Sequence, residues 1–233
     1  MADVVLAGGS GGLGSVTARL LADNWRVVVS YQSGAERASK LADVATAVQG
    51  DLASSSDRAR LLDAAQELYG LVVFSGDPAR VADPSQLESA MLRSHEVNYM
   101  GPVLLAREAA ERMKASGTPG AIVLVSTMQA VSLFAGSTAY AAQKAALIHA
   151  GRVLAKECRG RANIRVNVIC PGVNRAGMAE ASIASGKYDR YISDDVISRF
   201  GRAGDVARAV RFLLEPDNYI TGQVLTIDGG LTL

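Results

Sequence analysis

Val4-Val5-Leu6-Ala7-Gly8-Gly9-Ser10-Gly11-Gly12-Leu13-Gly14 is the stretch that decides the fold. Its apolar, β-branched start reads as a buried strand. The residues after the glycines, Leu13, Val16, Thr17, Leu20 and Leu21, are spaced i, i+3, i+4, i+7 and i+8 as on one face of a helix. A strand, a glycine turn and a helix in that order leave backbone N–H groups and the positive helix end free to face a pyrophosphate. Glycine is required because a Cβ would block the close approach. The run satisfies two templates, GxGxxG through Gly9, Gly11 and Gly14 and GxxxGxG through Gly8, Gly12 and Gly14, and does not choose between them.

Outward from that unit, similar β-rich runs recur at residues 26–30, 44–49, 71–74, 121–126, 165–169 and 224–227, separated by helical patterns. Seven strands entered through helices predict a parallel sheet with helices on both faces, a doubly wound α/β fold, within one domain spanning residues 1–233. Val206, Val210 and Leu213 mark a late helix, with Asp205 near its start and Pro216 beyond its end. Residues 173–202 are the least regular part. They follow the carboxyl end of the sixth strand, where ligands bind in open α/β sheets, so the segment reads as a substrate lid.

Composition narrows the function. The 24 Lys and Arg against 23 Asp and Glu leave a formal charge of +1, too little for a nucleic-acid partner. No apolar run approaches a membrane span, and the opening residues lack the pattern of a secretory signal, so the expectation is a cytoplasmic protein without membrane attachment. Cys158 and Cys170 read as buried free thiols, and His95 and His149 stand alone, so no metal site is expected.

At the end of the second strand, Ser30-Tyr31-Gln32-Ser33 lacks the acid that NAD sites place against the ribose 2′-hydroxyl. With Arg37 and Lys40 nearby, NADP is favoured and NAD is the alternative. Asp51, in Gln49-Gly50-Asp51-Leu52, reads either as an acceptor for an adenine amino group or as a cap.

Tyr140-Ala141-Ala142-Gln143-Lys144 sets a phenol and an ammonium one helical turn apart. A nearby cation favours phenolate and lowers the tyrosine pKa, which makes a workable acid or base. Ser126-Thr127 ends the fifth strand upstream, and Pro171-Gly172 follows the sixth. With Glu96-Val97-Asn98, Arg165-Val166-Asn167, Ile220-Thr221-Gly222-Gln223 and Asp228-Gly229-Gly230, the chain resembles the short-chain dehydrogenase/reductase family, in the compact branch that includes 3-oxoacyl-acyl-carrier-protein reductases.

That resemblance implies a Rossmann-type fold and an NAD(P)-dependent oxidoreductase that passes a hydride between cofactor and a small ketone or secondary alcohol, such as a 3-oxoacyl thioester. It implies Tyr140 as proton donor or acceptor, Lys144 as ribose ligand, Thr127 or Ser126 as the hydroxyl on the substrate oxygen, and Asn98 as holder of a relay water. Cofactor contacts are expected from Gly8, Ser10, Gly11, Gly12, Leu13, Gly14, Tyr31, Gln32, Ser33, Asp51, Leu52, Ser75, Gly76, Tyr140, Lys144, Pro171, Gly172 and Val173. A homotetramer or dimer is implied through the helices around residues 97–114 and 137–159, which are rich in small residues. The chain departs from the family at Val73-Phe74-Ser75-Gly76, where two amides are lost, at Ala176 in place of a threonine, and at Ala7-Gly8 in place of Thr-Gly. Leu147 stands where the enoyl-reductase relatives carry lysine, which disfavours that subclass. The departures motivate a rival reading, a nucleotide-binding sensor or interaction module with weak or no turnover.

Overall fold

Along β1 (Asp3–Ala7) the side chains alternate between two apolar layers, as the period of a strand requires. Val4 and Leu6 enter one layer, Val5 and Ala7 the other. The computed structural model describes residues 1–81 and 83–233. In chain order β1 is followed by α1 (Gly12–Leu21), β2 (Arg26–Tyr31), α2 (Ala35–Ser39), β3 (Ala45–Gln49), α3 (Ser55–Asp63), β4 (Leu68–Val73), α4 (Leu87–His95), α5 (Gly101–Ser116), β5 (Gly120–Val125), α6 (Thr138–Glu157), β6 (Ile164–Pro171), α7 (Glu180–Ala184), α8 (Arg190–Ser193), α9 (Ala203–Leu214) and β7 (Val224–Ile227). The strands form one seven-stranded sheet in the order β3-β2-β1-β4-β5-β6-β7, every pair parallel.

Helices cover both faces. Leu105, Ala109, Met113, Leu147 and Leu154 of α5 and α6 pack on Val5, Leu71, Ile122 and Val168. On the other face Ala18 and Leu21 of α1, with Val206, Val210 and Leu213 of α9, pack on Val4, Leu6, Val72 and Val123. Burying each such Leu or Val contributes about 1.5–3 kcal/mol. Two expectations need correction. The buried face of α1 is Gly14, Thr17, Ala18 and Leu21, while Val16 is exposed, because the small residues let the helix lie close to its neighbours. The edge strands β3 and β7 keep exposed side chains, so the sheet is not covered on both faces across its whole width.

At one end of α9, Asp205 accepts from Arg202 N and pairs with Arg199 and Arg208; the Arg199 hydrogen bond leads the influences that hold its carboxyl at about 2. At the other end, buried Arg165 donates to the carbonyls of Leu213 at 2.6 Å and Glu215 at 2.9 Å, satisfying acceptors a helix terminus leaves open. Residues 173–202 have a small apolar centre of their own, in which Val173, Ile197 and Phe200 meet Met128 and Leu231, with Tyr188 and Tyr191 against them. Among the described residues no helix is long and apolar enough to cross a membrane.

Candidate active site

The carboxyl ends of β1, β2, β4, β5 and β6 open into a cleft of about 1000 Å³. Its floor begins at the glycine loop. Gly8 adopts φ +74°, a conformation a side chain resists, and a Cβ there would stand 2.9 Å from Ser75 N. Gly8 N donates to Ser30 Oγ at 2.9 Å, a bond from the end of β2 that holds the loop. Sequence spacing does not single out Ser30; its partner is evident only once β1 and β2 pair.

Every expected cofactor contact lines this cleft except Asp51 and Leu52. The Asp51 carboxylate accepts from Gln32 Nε2 at 2.8 Å and from Ala53 N at 2.9 Å, so in this conformation it acts as a turn residue. Leu52 packs behind Gly101, its carbonyl accepting from Arg58. The Arg37 guanidinium lies against the Gly34 backbone on the cleft wall, and among the described residues it has no carboxylate partner. Lys40 turns to Glu36 instead.

Tyr140 and Lys144 project from α6 toward β5. Lys144 is 2 % exposed, and its Nζ donates to Val125 O at 2.9 Å and Ser75 O at 3.1 Å. Burial pushes its pKa down to about 7. Burial likewise pushes the Tyr140 phenol up to about 12, and its interaction with the Thr127 hydroxyl is the one influence that lowers it. The expectation that the ammonium depresses the phenol is thus reversed: Nζ is bonded to two carbonyls, and desolvation dominates both groups.

The hydroxyl pair separates. Ser126 Oγ donates to Lys144 O at 2.9 Å, fixing α6 to β5 from beneath, whereas Thr127 accepts from Gln129 N and faces Tyr140. Asn98 lies in a π-helical turn, Glu96–Met100, between α4 and α5. Its side chain is fully buried and engaged: Oδ1 accepts from Asp77 N, while Nδ2 donates to Asp77 O and Ser94 Oγ. The amide therefore anchors the loop after β4. Pro102, four residues on, has no N–H to offer the Asn98 carbonyl.

The residues fit a dinucleotide. The cradle at Gly8 would be filled by a Cβ, the α1 N-terminus faces the cleft, and Ser75, in its wall, has a hydroxyl without a partner. Lying over the loop is residue 177 of the 173–202 segment: a Cβ on Gly12 would stand 2.5 Å from Gly177 N. Sequence reasoning also missed Arg80, Lys187 and Arg190, three cations on the cleft wall.

A family model described as enoyl-(acyl carrier protein) reductase matches residues 7–232. Carbonyl reductase family member 4 of Danio rerio is 41% identical over 143 residues, 61% of this chain and 57% of its own length. A 3-oxoacyl-[acyl-carrier-protein] reductase of Rattus norvegicus matches with the same identity and the same shares. The matched stretch thus spans little more than half the length of these curated relatives. The structure of a short-chain type dehydrogenase/reductase from Mycobacterium ulcerans is similar with a TM-score of 0.89 at 26% identity, covering 99% of this chain and 90% of that one.

Proposed function

The chain belongs to the short-chain dehydrogenase/reductase family, and from that premise we propose that it is an NAD(P)-dependent reductase of a ketone, or dehydrogenase of the corresponding secondary alcohol. The observation that carries this is Tyr140 facing Thr127, with Lys144 one turn along α6, in the cleft that the glycine loop floors.

NAD(P)H, held by the glycine loop and the walls of the cleft, would supply the hydride to the carbonyl carbon. Thr127 donates a hydrogen bond to the carbonyl oxygen and orients it toward Tyr140. Tyr140, protonated at neutral pH because burial holds its pKa near 12, gives its proton to the oxygen as negative charge develops there. Lys144, whose Nζ is bonded to Ser75 O and Val125 O, would hold the ribose of the cofactor, and its charge beside the phenol would ease that transfer. The Asn98 carbonyl, without an amide from Pro102, holds the water that returns a proton to the site. Ser126 acts as a support for α6 rather than as a substrate ligand.

NADP is the preferred cofactor in this reading, with Arg37 set against its 2′-phosphate beside Tyr31, Gln32 and Ser33. Residues 173–202 serve as the substrate lid within a single catalytic domain. A 3-oxoacyl thioester is one ketone that would suit the site. Exposed Leu87, Met91, Leu92, Leu104 and Val153 on the α4–α6 face support association into a dimer or tetramer. Of the small residues on that pair of helices, Ala109, Ala110 and Gly151 are buried against the sheet and are not available to it. Free, buried Cys158 and Cys170 suit a reducing cytoplasm. No observation favours the binding module without turnover.

Incubating the purified protein with NADPH and a panel of ketones, followed by absorbance of the reduced nicotinamide, tests the activity. Tyr140→Phe should lower turnover at least about 10²-fold while leaving cofactor affinity nearly intact. Near-normal turnover in that variant overturns the assignment.

A further inference from the structure

The chain is close to neutral overall, yet its cleft is not. Five cations line it, Arg37, Arg80, Lys144, Lys187 and Arg190, against a single acid, Glu180, whose Oε1 is already bonded to Gly177 N at 3.0 Å. Arg37 stands at the β2 side and Lys144 at the floor. The other three belong to the outer mouth: Lys187 and Arg190 on the lid segment, and Arg80 on the loop after β4. Arg80 is tied to that segment through Met178 O at 2.9 Å and Ser182 Oγ at 3.1 Å.

Lys187 and Arg190 share an aromatic environment, and Arg80 is bonded to the same 173–202 segment. The rings of Tyr188 and Tyr191 stack with centroids 6.2 Å apart, Lys187 Nζ lies 5.6 Å from the first and the Arg190 guanidinium 5.1 Å from the second. Among the described residues none of the three forms an ion pair with a carboxylate, though the chain has eleven such contacts elsewhere. Asp189 and Asp194 are neighbours in sequence but do not line the cleft. Asp194 acts on Arg190 from outside the cleft, but with no carboxylate paired to any of the three among the described residues, their like charges repel and the cleft focuses their field on whatever enters.

Resting on the proposed reduction of a carbonyl compound, we infer that the substrate carries an anionic group, a carboxylate or a phosphate, some distance from its reacting carbonyl. Arg80, Lys187 and Arg190 receive that group at the mouth while the carbonyl reaches Tyr140 and Thr127. The cations thereby select charged over neutral ketones and orient them end-on.

The probes are laevulinate, its methyl ester, and the phosphate monoester of 5-hydroxy-2-pentanone, each titrated calorimetrically into the protein saturated with NADP⁺, which cannot reduce them, with turnover under NADPH followed in parallel. At least one anion should bind about ten-fold or more tightly than the ester, and which one does so separates carboxylate from phosphate recognition. The combined variant Arg80→Gln, Lys187→Gln, Arg190→Gln should abolish the preference, while Lys187→Arg alone should retain it. The inference is overturned if the ester binds as well as both anions, if no anion binds, or if the preference survives the triple variant. It is also overturned if that variant weakens NADPH itself as much as the anion, since the cations would then serve the cofactor. Charge-dependent binding without any hydride transfer would sink the reductase reading alone, and turnover indifferent to charge would sink this inference alone.

Discussion

Replacing Lys144 by methionine should change the sign of its effect on stability between acid and alkaline solution. In an unfolded chain the lysine titrates near 10.5, whereas burial in the folded protein brings it to about 7. That gap corresponds to roughly 5 kcal/mol against the charged form. Between those two values the unfolded chain holds a proton the folded protein has released, so this group makes stability rise with pH across that window and imposes its full cost below about pH 7. Methionine removes the cost but leaves the carbonyls of Ser75 and Val125 without their donor, a loss of about 1–1.5 kcal/mol each. The cofactor-free variant should therefore be more stable than the parent by about 2–3 kcal/mol at pH 6 and less stable by about 1–2 kcal/mol at pH 10. Urea unfolding at the two pH values measures both differences. A variant less stable by the same amount at each would refute the reasoning, because the ammonium would then be as well solvated in the fold as in water.

Gly9→Ala sets a Cβ 2.7 Å from Leu6 O and should cost about 1–3 kcal/mol of stability in urea unfolding, whereas Gly11→Ala meets only Gly8 O at 3.4 Å and should fold normally while binding NADPH more weakly. Arg37→Gln should reduce NADPH affinity about ten-fold or more with little change for NADH, as read by fluorescence titration. Arg165→Met strips the Leu213 and Glu215 carbonyls at the end of α9 and the Tyr69 hydroxyl of a buried donor, and a loss of about 2–4 kcal/mol is expected in the same unfolding assay.

The seven strands were legible because a parallel sheet demands apolar runs at recurring intervals, and β7 begins and ends where its run does. Tyr140 and Lys144 were legible because a helix converts a spacing of four into a shared face. What spacing does not encode is where a side chain turns once its neighbours arrive. Ser126 and Thr127 are equivalent hydroxyls in the sequence, and only the packing of α6 on β5 sends one inward to Lys144 O and leaves the other facing Tyr140. The direction of the Tyr140 pKa differs for a related reason: desolvation opposes the phenolate, while Lys144, itself brought to about 7 by burial and bonded to two carbonyls, is not among the groups that lower it. Arg80, Lys187 and Arg190 come from two distant segments and share no period, so their convergence exists only in three dimensions.

The small apolar centre formed by Val173, Ile197 and Phe200 with Met128 and Leu231 has a consequence for how such a protein can diversify. Because this cluster is separate from the two layers that sandwich the sheet, substitutions among residues 173–202 can reshape the mouth of the cleft while the strands and the glycine loop stay as they are. On the proposed function, preference for what is reduced rests mainly on residues 178–202 and capacity to hold what reduces it mainly on the glycine loop, with Val173 and Gly177, which lies over Gly12, serving both. A graft of that one segment between homologues should move the first and spare the second.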